Sequence, residues 1–413
     1  METIKKKLKQ LISWSEKYTE TDMTYVVGGG LWLITGKVLL FLISFFLMVA
    51  FANLLPPETY GKYQYLVAAF AILSIFALPG VNTSLVKSIA LRKEGTLSFA
   101  IGEKIKWGLI ASLSSVVIAL WYFWRENYLL AFAFLLGALF LPLLETFQIY
   151  LYFWNGRKRF DMQTKYEVLS AFLVALTLIF ALYFSDNLLV IIGAFLLGHT
   201  FFDWIFYQKT ARQAANRQVD PQAISFGKHL TIMGSLAIAS SHLDKILIWK
   251  FLGAAQVAVY TFAQLPIYKI MLATSLQPLA LPKLGEQNIR EKKADIMKKF
   301  YKLFFVFLPL ALLFYWAAPL IYKIFLPQYL ESVLYFKALS LMIVFMPFSL
   351  LNAALIADLR QKDLYIINTA SPLLKIALFL ILTPIFGIWG IVTTLLLVQA
   401  VISFLTLFYF SKL

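Results

Sequence analysis

Twelve runs of roughly twenty apolar residues dominate this chain, and each is long enough to carry an α-helix across a hydrocarbon layer about 30 Å thick. They fall near residues 31–53, 64–86, 107–124, 128–149, 167–184, 188–207, 229–251, 257–281, 301–322, 333–356, 365–385 and 388–410. No water satisfies backbone groups inside a bilayer, so such a pattern specifies a bundle of helices. Apolar residues make up 61% of the 413 and charged ones 14%, far from the about 45–50% and 25% of soluble domains. A water-soluble globule and a disordered chain are both excluded. The absence of cysteine removes disulfides, thiolate zinc sites and cysteine nucleophiles.

The net charge is +16, from 37 Lys and Arg against 21 Asp and Glu. Where those cations sit decides what they mean. With the N-terminus placed in the cytoplasm, alternate loops collect 28 of the 37, among them Lys87, Arg92, Lys93, Lys104, Lys106, Arg157, Lys158 and Arg159, while the opposite loops hold Lys62, Arg125, Lys250 and Lys323. The positive-inside bias then predicts a multi-pass protein of the cytoplasmic (inner) membrane with both termini cytoplasmic. Anionic lipid head groups account for most of the basic surplus, and no nucleic-acid partner is needed.

Ahead of the first span, Ile4, Leu8, Leu11 and Ile12 recur at helical spacing beside Lys5, Lys6, Lys7 and Lys9. That is the pattern of an amphipathic helix lying in the head-group layer, with Gly28–Gly30 expected to let the chain bend into the bilayer. The two halves repeat one plan. Leu55, Gly61 and Tyr63 meet Leu252, Ala258 and Tyr260 at a shift of 197, and Gly156–Arg159 resembles Leu359–Lys362 at a shift of 203. Internal repeats of this kind are a transporter signature. The expected organisation is a cytoplasmic amphipathic segment 1–30, an N-lobe of six spans over 31–208, a cytoplasmic linker 209–228 and a C-lobe of six spans over 229–413. The lobes would be related by a pseudo-two-fold along the membrane normal, making an all-α integral membrane protein.

The stretches ANLLPPETYGKYQYLVAAFAI and ALPGVNTSLVKSIA resemble the first hairpin of the polysaccharide transporter family, the O-antigen and teichoic-acid type flippases of the multidrug/oligosaccharidyl-lipid/polysaccharide exporter superfamily. HLDKILIWKFLGAAQVAVYTFAQLP and LQPLALPKLGEQ are similar to its seventh and eighth spans, and AAPLIYKIFLPQYLESVLYFKALSLMI and LTPIFGIWGIVTTLL to later connections. Pro56-Pro57 and Ala254-Ala255 stand where the family more often has a Gly-Pro turn. The resemblance implies two six-helix bundles around a central cavity, and a substrate such as an undecaprenyl-diphosphate oligosaccharide used in cell-surface polysaccharide or lipopolysaccharide biosynthesis.

An ionisable side chain at the centre of a span costs roughly 2.5–3.5 kcal/mol on insertion scales, so it faces a cavity or a partner. Lys37, Lys245, Lys269, Lys337 and Lys375 fall inside the runs, against only Glu145, Asp203 and Asp244. Lys37, Lys269 and Lys375 read as cavity-facing. Lys337 is expected to snorkel toward the surface. Lys245 shares a helical face with His242 and Ser241, whereas Asp244 diverges from it by about 100°. Within the family reading, Lys37, Lys245, Lys269, Lys375 and His242 become the substrate-binding set, since ammonium groups in a low-dielectric wall attract a diphosphate. Asp244, Asp203, Glu145 and His199 are the candidates for ion coupling or gating. Glu145 and Asp203 are expected to contact Arg157 or Lys209 or to cap helices. Asn82, Gln148, Gln264, Gln277 and Asn352 are further polar groups at membrane depth, and single aromatic rings are assigned by default to the interfacial belts.

His199, His229 and His242 show no metal-ligand spacing, and no Gly-x-x-x-x-Gly-Lys phosphate loop occurs. Neither a cofactor nor an enzymatic activity is expected. The reading is a flippase working by alternating access, with glycan polymerases or glycosyltransferases as candidate partners. A multidrug exporter of the same superfamily and a non-transporting scaffold of a glycan-assembly complex stand as alternatives.

Overall fold

The computed structural model of the chain describes residues 23–274, 280, 284–285 and 288–413. Residues 1–22 of the expected amphipathic segment, Gln277 and Lys283 lie outside the described residues. Among the described residues the chain is helical and contains no strand. The N-lobe comprises α1 (Met23–Leu54), α2 (Pro57–Leu73), α3 (Pro79–Ala90), α4 (Thr96–Trp124), α5 (Tyr128–Leu144), α6 (Ile149–Gly156), α7 (Phe160–Phe184) and α8 (Leu188–Ala211). In the C-lobe follow α9 (Pro221–Leu252), α10 (Ala254–Ala273), α11 (Lys293–Phe325), α12 (Ser332–Ser340), α13 (Phe348–Ala357), α14 (Gln361–Phe386) and α15 (Ile388–Ser411).

Helix covers every expected run as far as the described residues extend. Nine helices among them, or ten if the pair Pro57–Ala77 and Pro79–Ala90 counts as one span, are long and apolar enough to cross a membrane. α9 and α10 fall short of that measure because they carry Asp244, Lys245, Gln264 and Lys269. Several helices outrun the apolar stretch that signals them: α4 begins at Thr96 where the run begins at 107, because charged residues continue a helix into the head-group layer. Other runs are broken. A bend of 49° separates α2 from α3, where Leu78 adopts φ 55° and Pro79 has no N–H to extend the ladder. Gly28–Gly30, expected to bend the chain, lie within α1.

Large apolar side chains such as Trp124, Phe180, Phe305 and Trp316 are exposed around the bundle, as lipid-facing residues must be. Several aromatics depart from the belt expectation. Tyr60, Tyr150, Trp154, Tyr260, Tyr322 and Tyr329 are fully buried, and most find a partner for the polar tip, for example Tyr322 Oη donating to the Phe262 carbonyl at 2.8 Å.

The two-fold relation is visible in the packing. α2 and its repeat partner α10 pack on each other, and α10 packs on α1 as α9 packs on α2, the exchange that a two-fold axis demands. In the second half of each lobe the structural shift is 201, not 203: Lys158 (φ 57°) and Leu359 (φ 55°) both turn the chain, and the helices that follow are preceded by Arg159 and Arg360. Positive φ at the turn, invisible in residue identity, sets that register.

The lobes approach closely at both ends. A Cβ on Gly61 would lie 1.8 Å from the Ala254 carbonyl oxygen, and one on Gly80 would lie 2.4 Å from that of Gly227. Glycine is required at both crossings. At the basic end, the segment between α8 and α9 is strapped to the N-lobe. Glu94 accepts two bonds from Arg157, at 2.8 and 2.6 Å, and a third from the Ala215 N–H; Asp220 N–H donates to Thr96 Oγ1 at 2.9 Å.

Candidate functional site

Polar side chains from both lobes meet where α9 and α10 pack on α2, with α14 packed on α9. Asp244 on α9 is 2% exposed. Its Oδ2 accepts from the Tyr260 hydroxyl at 2.6 Å and from Gln264 Nε2 at 3.1 Å, and its Oδ1 accepts from the Lys245 N–H at 2.7 Å. The carboxylate is therefore held by α10, a consequence of Tyr260 and Gln264 standing four residues apart on one helical face.

Lys245 points the other way, as the 100° step between neighbours requires. Its Nζ donates to Gln64 Oε1 on α2 at 2.9 Å, and Gln64 Nε2 in turn donates to the Tyr60 hydroxyl at 2.9 Å. His242, one turn before Lys245, lies within the electrostatic reach of Lys245, Asp244 and Lys375. Lys375 on α14 also feels Asp244 and stands 6.0 Å from the centre of the Phe379 ring. Three of the five expected substrate-binding residues, Lys245, Lys375 and His242, thus share one electrostatic neighbourhood with Asp244. Positive charge is in excess, because two lysines share this region with one carboxylate, whose oxygens already accept from Tyr260, Gln264 and the Lys245 N–H.

The other two stand apart. Lys269 is half-buried on α10, five residues beyond Gln264, with no ion pair among the described residues. Lys37 is half-buried on α1, beside Gly36, whose Cβ would touch Thr164 in the first turns of α7. Lys37 therefore lies about level with the first turns of α7, near the basic end. Lys337 stacks its ammonium over the Tyr315 ring at 5.1 Å.

The expected gate contacts are replaced by others. Arg157 binds Glu94, and Lys209 lies over the Phe206 ring at 5.8 Å. Glu145 follows the last residue of α5 and acts on Lys104. Asp203, 2% exposed, accepts from Ser170 Oγ at 2.7 Å and from the Tyr150 hydroxyl at 3.2 Å, with His199 Nδ1 3.9 Å away.

Two participants were not expected from the residues alone. Lys104, counted with the loop cations, is fully buried and donates to Asn82 Oδ1 at 2.8 Å. The signal was present: Ala100, Lys104, Gly108, Ala111 and Ser115 form one buried stripe at helical spacing. Gln64 carried no signal, since nothing in its neighbourhood distinguishes it from a solvated residue.

Aromatic pairs flank the site and cross between lobes. Tyr60 stacks on Phe262 with ring centres 4.5 Å apart, and Tyr65 stacks on Trp249 at 4.5 Å. Such pairs contribute about 0.5–1.5 kcal/mol each beyond their buried area. They close the end of the interface opposite the basic loops.

A family model described as polysaccharide biosynthesis protein matches residues 26–276. No curated protein sequence matches the chain. Among solved structures, the lipid II flippase MurJ in an inward closed conformation superposes with a TM-score of 0.72 at 14% identity, covering 93% of this chain and 87% of that one. An inward-facing multidrug resistance MATE family transporter of the MOP superfamily gives 0.63 at 13% identity, covering 92% and 94%. A MOP superfamily transporter from Pyrococcus furiosus Vc1, whose binding pocket is described as having reverse polarity, gives 0.60 at 15% identity, covering 94% and 95%. At these identities the likeness is one of fold.

Proposed function

We propose that this chain, which belongs to the polysaccharide biosynthesis protein family, is a flippase that moves an anionic, lipid-linked oligosaccharide of the undecaprenyl-diphosphate type across the cytoplasmic membrane. The observation that carries the reading is the surplus of cations between the lobes. Lys245 and Lys375 share the electrostatic neighbourhood of the single carboxylate Asp244, whose oxygens Tyr260, Gln264 and the Lys245 N–H already occupy. A diphosphate supplies the missing negative charge, and the protein wall strengthens that attraction over its value in water.

The lobe contacts support alternating access. The substrate head enters from the basic, cytoplasmic side once the Gly80–Gly227 crossing opens, while Tyr60–Phe262 and Tyr65–Trp249 keep the outer side shut. Bound phosphate competes with Gln64 Oε1 for the Lys245 ammonium. Breaking that bridge releases α2 from α9, so the substrate itself lowers the cost of parting the lobes on the outer side. Lys37 and Lys269 supply further positive charge along the path of the head group, and the lipid tail stays in the bilayer. Glycan polymerases and glycosyltransferases are the natural suppliers and consumers of such a substrate.

A multidrug exporter for cationic compounds would present acidic or apolar groups here, and the surplus of cations opposes it. The test is complementation of a strain lacking the gene. Lys245→Ala and Lys375→Ala are expected to lower delivery of glycan to the surface at least tenfold at matched protein levels. Full delivery by both variants would refute the proposal.

A further inference from the structure

Asp203 on α8 carries an unanswered oxygen. Its Oδ1 accepts from Ser170 Oγ and the Tyr150 hydroxyl, but Oδ2, sealed from solvent, has no hydrogen-bond donor. Thr200 Oγ1, three residues earlier and on the same face of α8, is also buried without a partner. His199 Nδ1 lies 3.9 Å from Oδ2, and its side chain is 27% exposed while that of Asp203 is 2% exposed. A bare carboxylate oxygen in a dry site retains its full desolvation penalty, which a bound cation or proton removes.

The surroundings select the proton. A metal ion needs several oxygen ligands, yet the Tyr150 and Ser170 hydroxyls are committed as donors to Oδ1, and the titratable group within 4 Å of Oδ2 is an imidazole. The elements packed against α8 add little charge. α7 brings Ser170, Tyr166 and Glu167, the last acting on Tyr150, which comes from α6. α5 has Tyr128, at its far end. α2 has Tyr63, whose ring meets Phe195 edge-on, and Phe195 meets the His199 ring at 4.8 Å; its Glu58 and Lys62 pair with each other at 2.7 Å.

We infer that His199 and Asp203 form a proton-binding pair within the N-lobe. The pair carries one proton, on the imidazole or on Oδ2, and exchanges it when the two atoms close from 3.9 Å to hydrogen-bond distance. Transfer breaks the Nδ1–H bond of the imidazolium and forms an Oδ2–H bond, leaving a neutral imidazole and a neutral carboxylic acid. The singly protonated pair has no net charge in either form, whereas losing the proton leaves a buried anion. The half-exposed imidazole is the route by which the proton enters and leaves. This site is separate from the cationic cluster and does not depend on which substrate that cluster holds.

The test uses the full-length protein in detergent with 15N-labelled histidine, following the imidazole nitrogen shifts of His199, His229 and His242 against pH and assigning each by single replacement with Gln. Asp203→Asn is expected to move the His199 midpoint to lower pH by at least one unit, a tenfold loss of proton affinity, with His229 and His242 unmoved. A His199 midpoint unchanged by Asp203→Asn overturns the inference. If that variant does not fold, Ser170→Ala keeps the carboxylate while removing a donor from Oδ1; it is expected to raise the His199 midpoint, and an unchanged midpoint is again fatal. Both readouts are independent of transport.

Discussion

The Lys245 ammonium donates to the Gln64 side-chain carbonyl at 2.9 Å, joining α9 of one lobe to α2 of the other through two neutral or singly charged groups. A charged hydrogen bond of this kind is strong enough to hold a closed state and weak enough for a phosphate to displace. Gln64→Glu turns it into an ion pair. The account predicts a higher thermal midpoint in detergent together with slower delivery of glycan to the surface, because the substrate then competes with a carboxylate. A faster variant would contradict it.

Glycine is needed where α2 crosses α10. In Gly61→Ala the added carbon meets backbone, the Ala254 carbonyl, which cannot swing aside. A loss of about 1–3 kcal/mol is expected from such overpacking. Gly102 on α4 is the control. Nothing lies within 4 Å of a Cβ there, so Gly102→Ala is expected to be neutral or to stabilise by up to about 1 kcal/mol. Denaturant or thermal unfolding of the two variants side by side checks the contrast.

The buried ammonium of Lys104 depends on Asn82. Asn82→Leu removes its acceptor and is expected to cost about 1.5–3 kcal/mol, the range for hydrogen bonds to charged groups. Adding Lys104→Met in the same chain removes the stranded charge and should restore part of the loss. Additive losses in this double-mutant cycle would mean that the two side chains are not coupled.

How much of this was legible beforehand differs by level. The helices could be read because a membrane span needs a long apolar run, and Asp244 and Lys245 stood out because charge is rare there. Their divergence followed from helical geometry. By contrast, Gln64 and Tyr60 become partners of Lys245 only through lobe packing that no local pattern encodes. Lys104 lies ahead of the apolar run and so counts with the loop cations, while only its position on the buried stripe marks it as interior. No local pattern pairs Arg157 with Glu94, because the bond that joins them spans 63 residues.

Strong acid should loosen the basic end. Burial, the largest influence on Glu94, pushes its carboxyl up, but the Arg157 hydrogen bonds, the Ala215 N–H and the charges of Arg157 and Arg92 together hold it below the ordinary glutamate value. A carboxyl lowered in the folded state contributes stability at neutral pH. That stability is lost as pH falls through about 4 and below. Thermal midpoints recorded from about pH 5 downward to about pH 2 should decline in the native protein, and Glu94→Gln should flatten part of that decline.

The central claim is that the cations between the lobes hold phosphate, and lipid binding by the purified protein tests it most directly. Native mass spectrometry with undecaprenyl diphosphate and undecaprenol as paired probes reads the contribution of the head group alone. The account predicts that the native protein prefers the diphosphate at least tenfold and that a chain carrying both Lys245→Gln and Lys375→Gln loses that preference while still binding the alcohol. An undiminished preference in the double variant would contradict it.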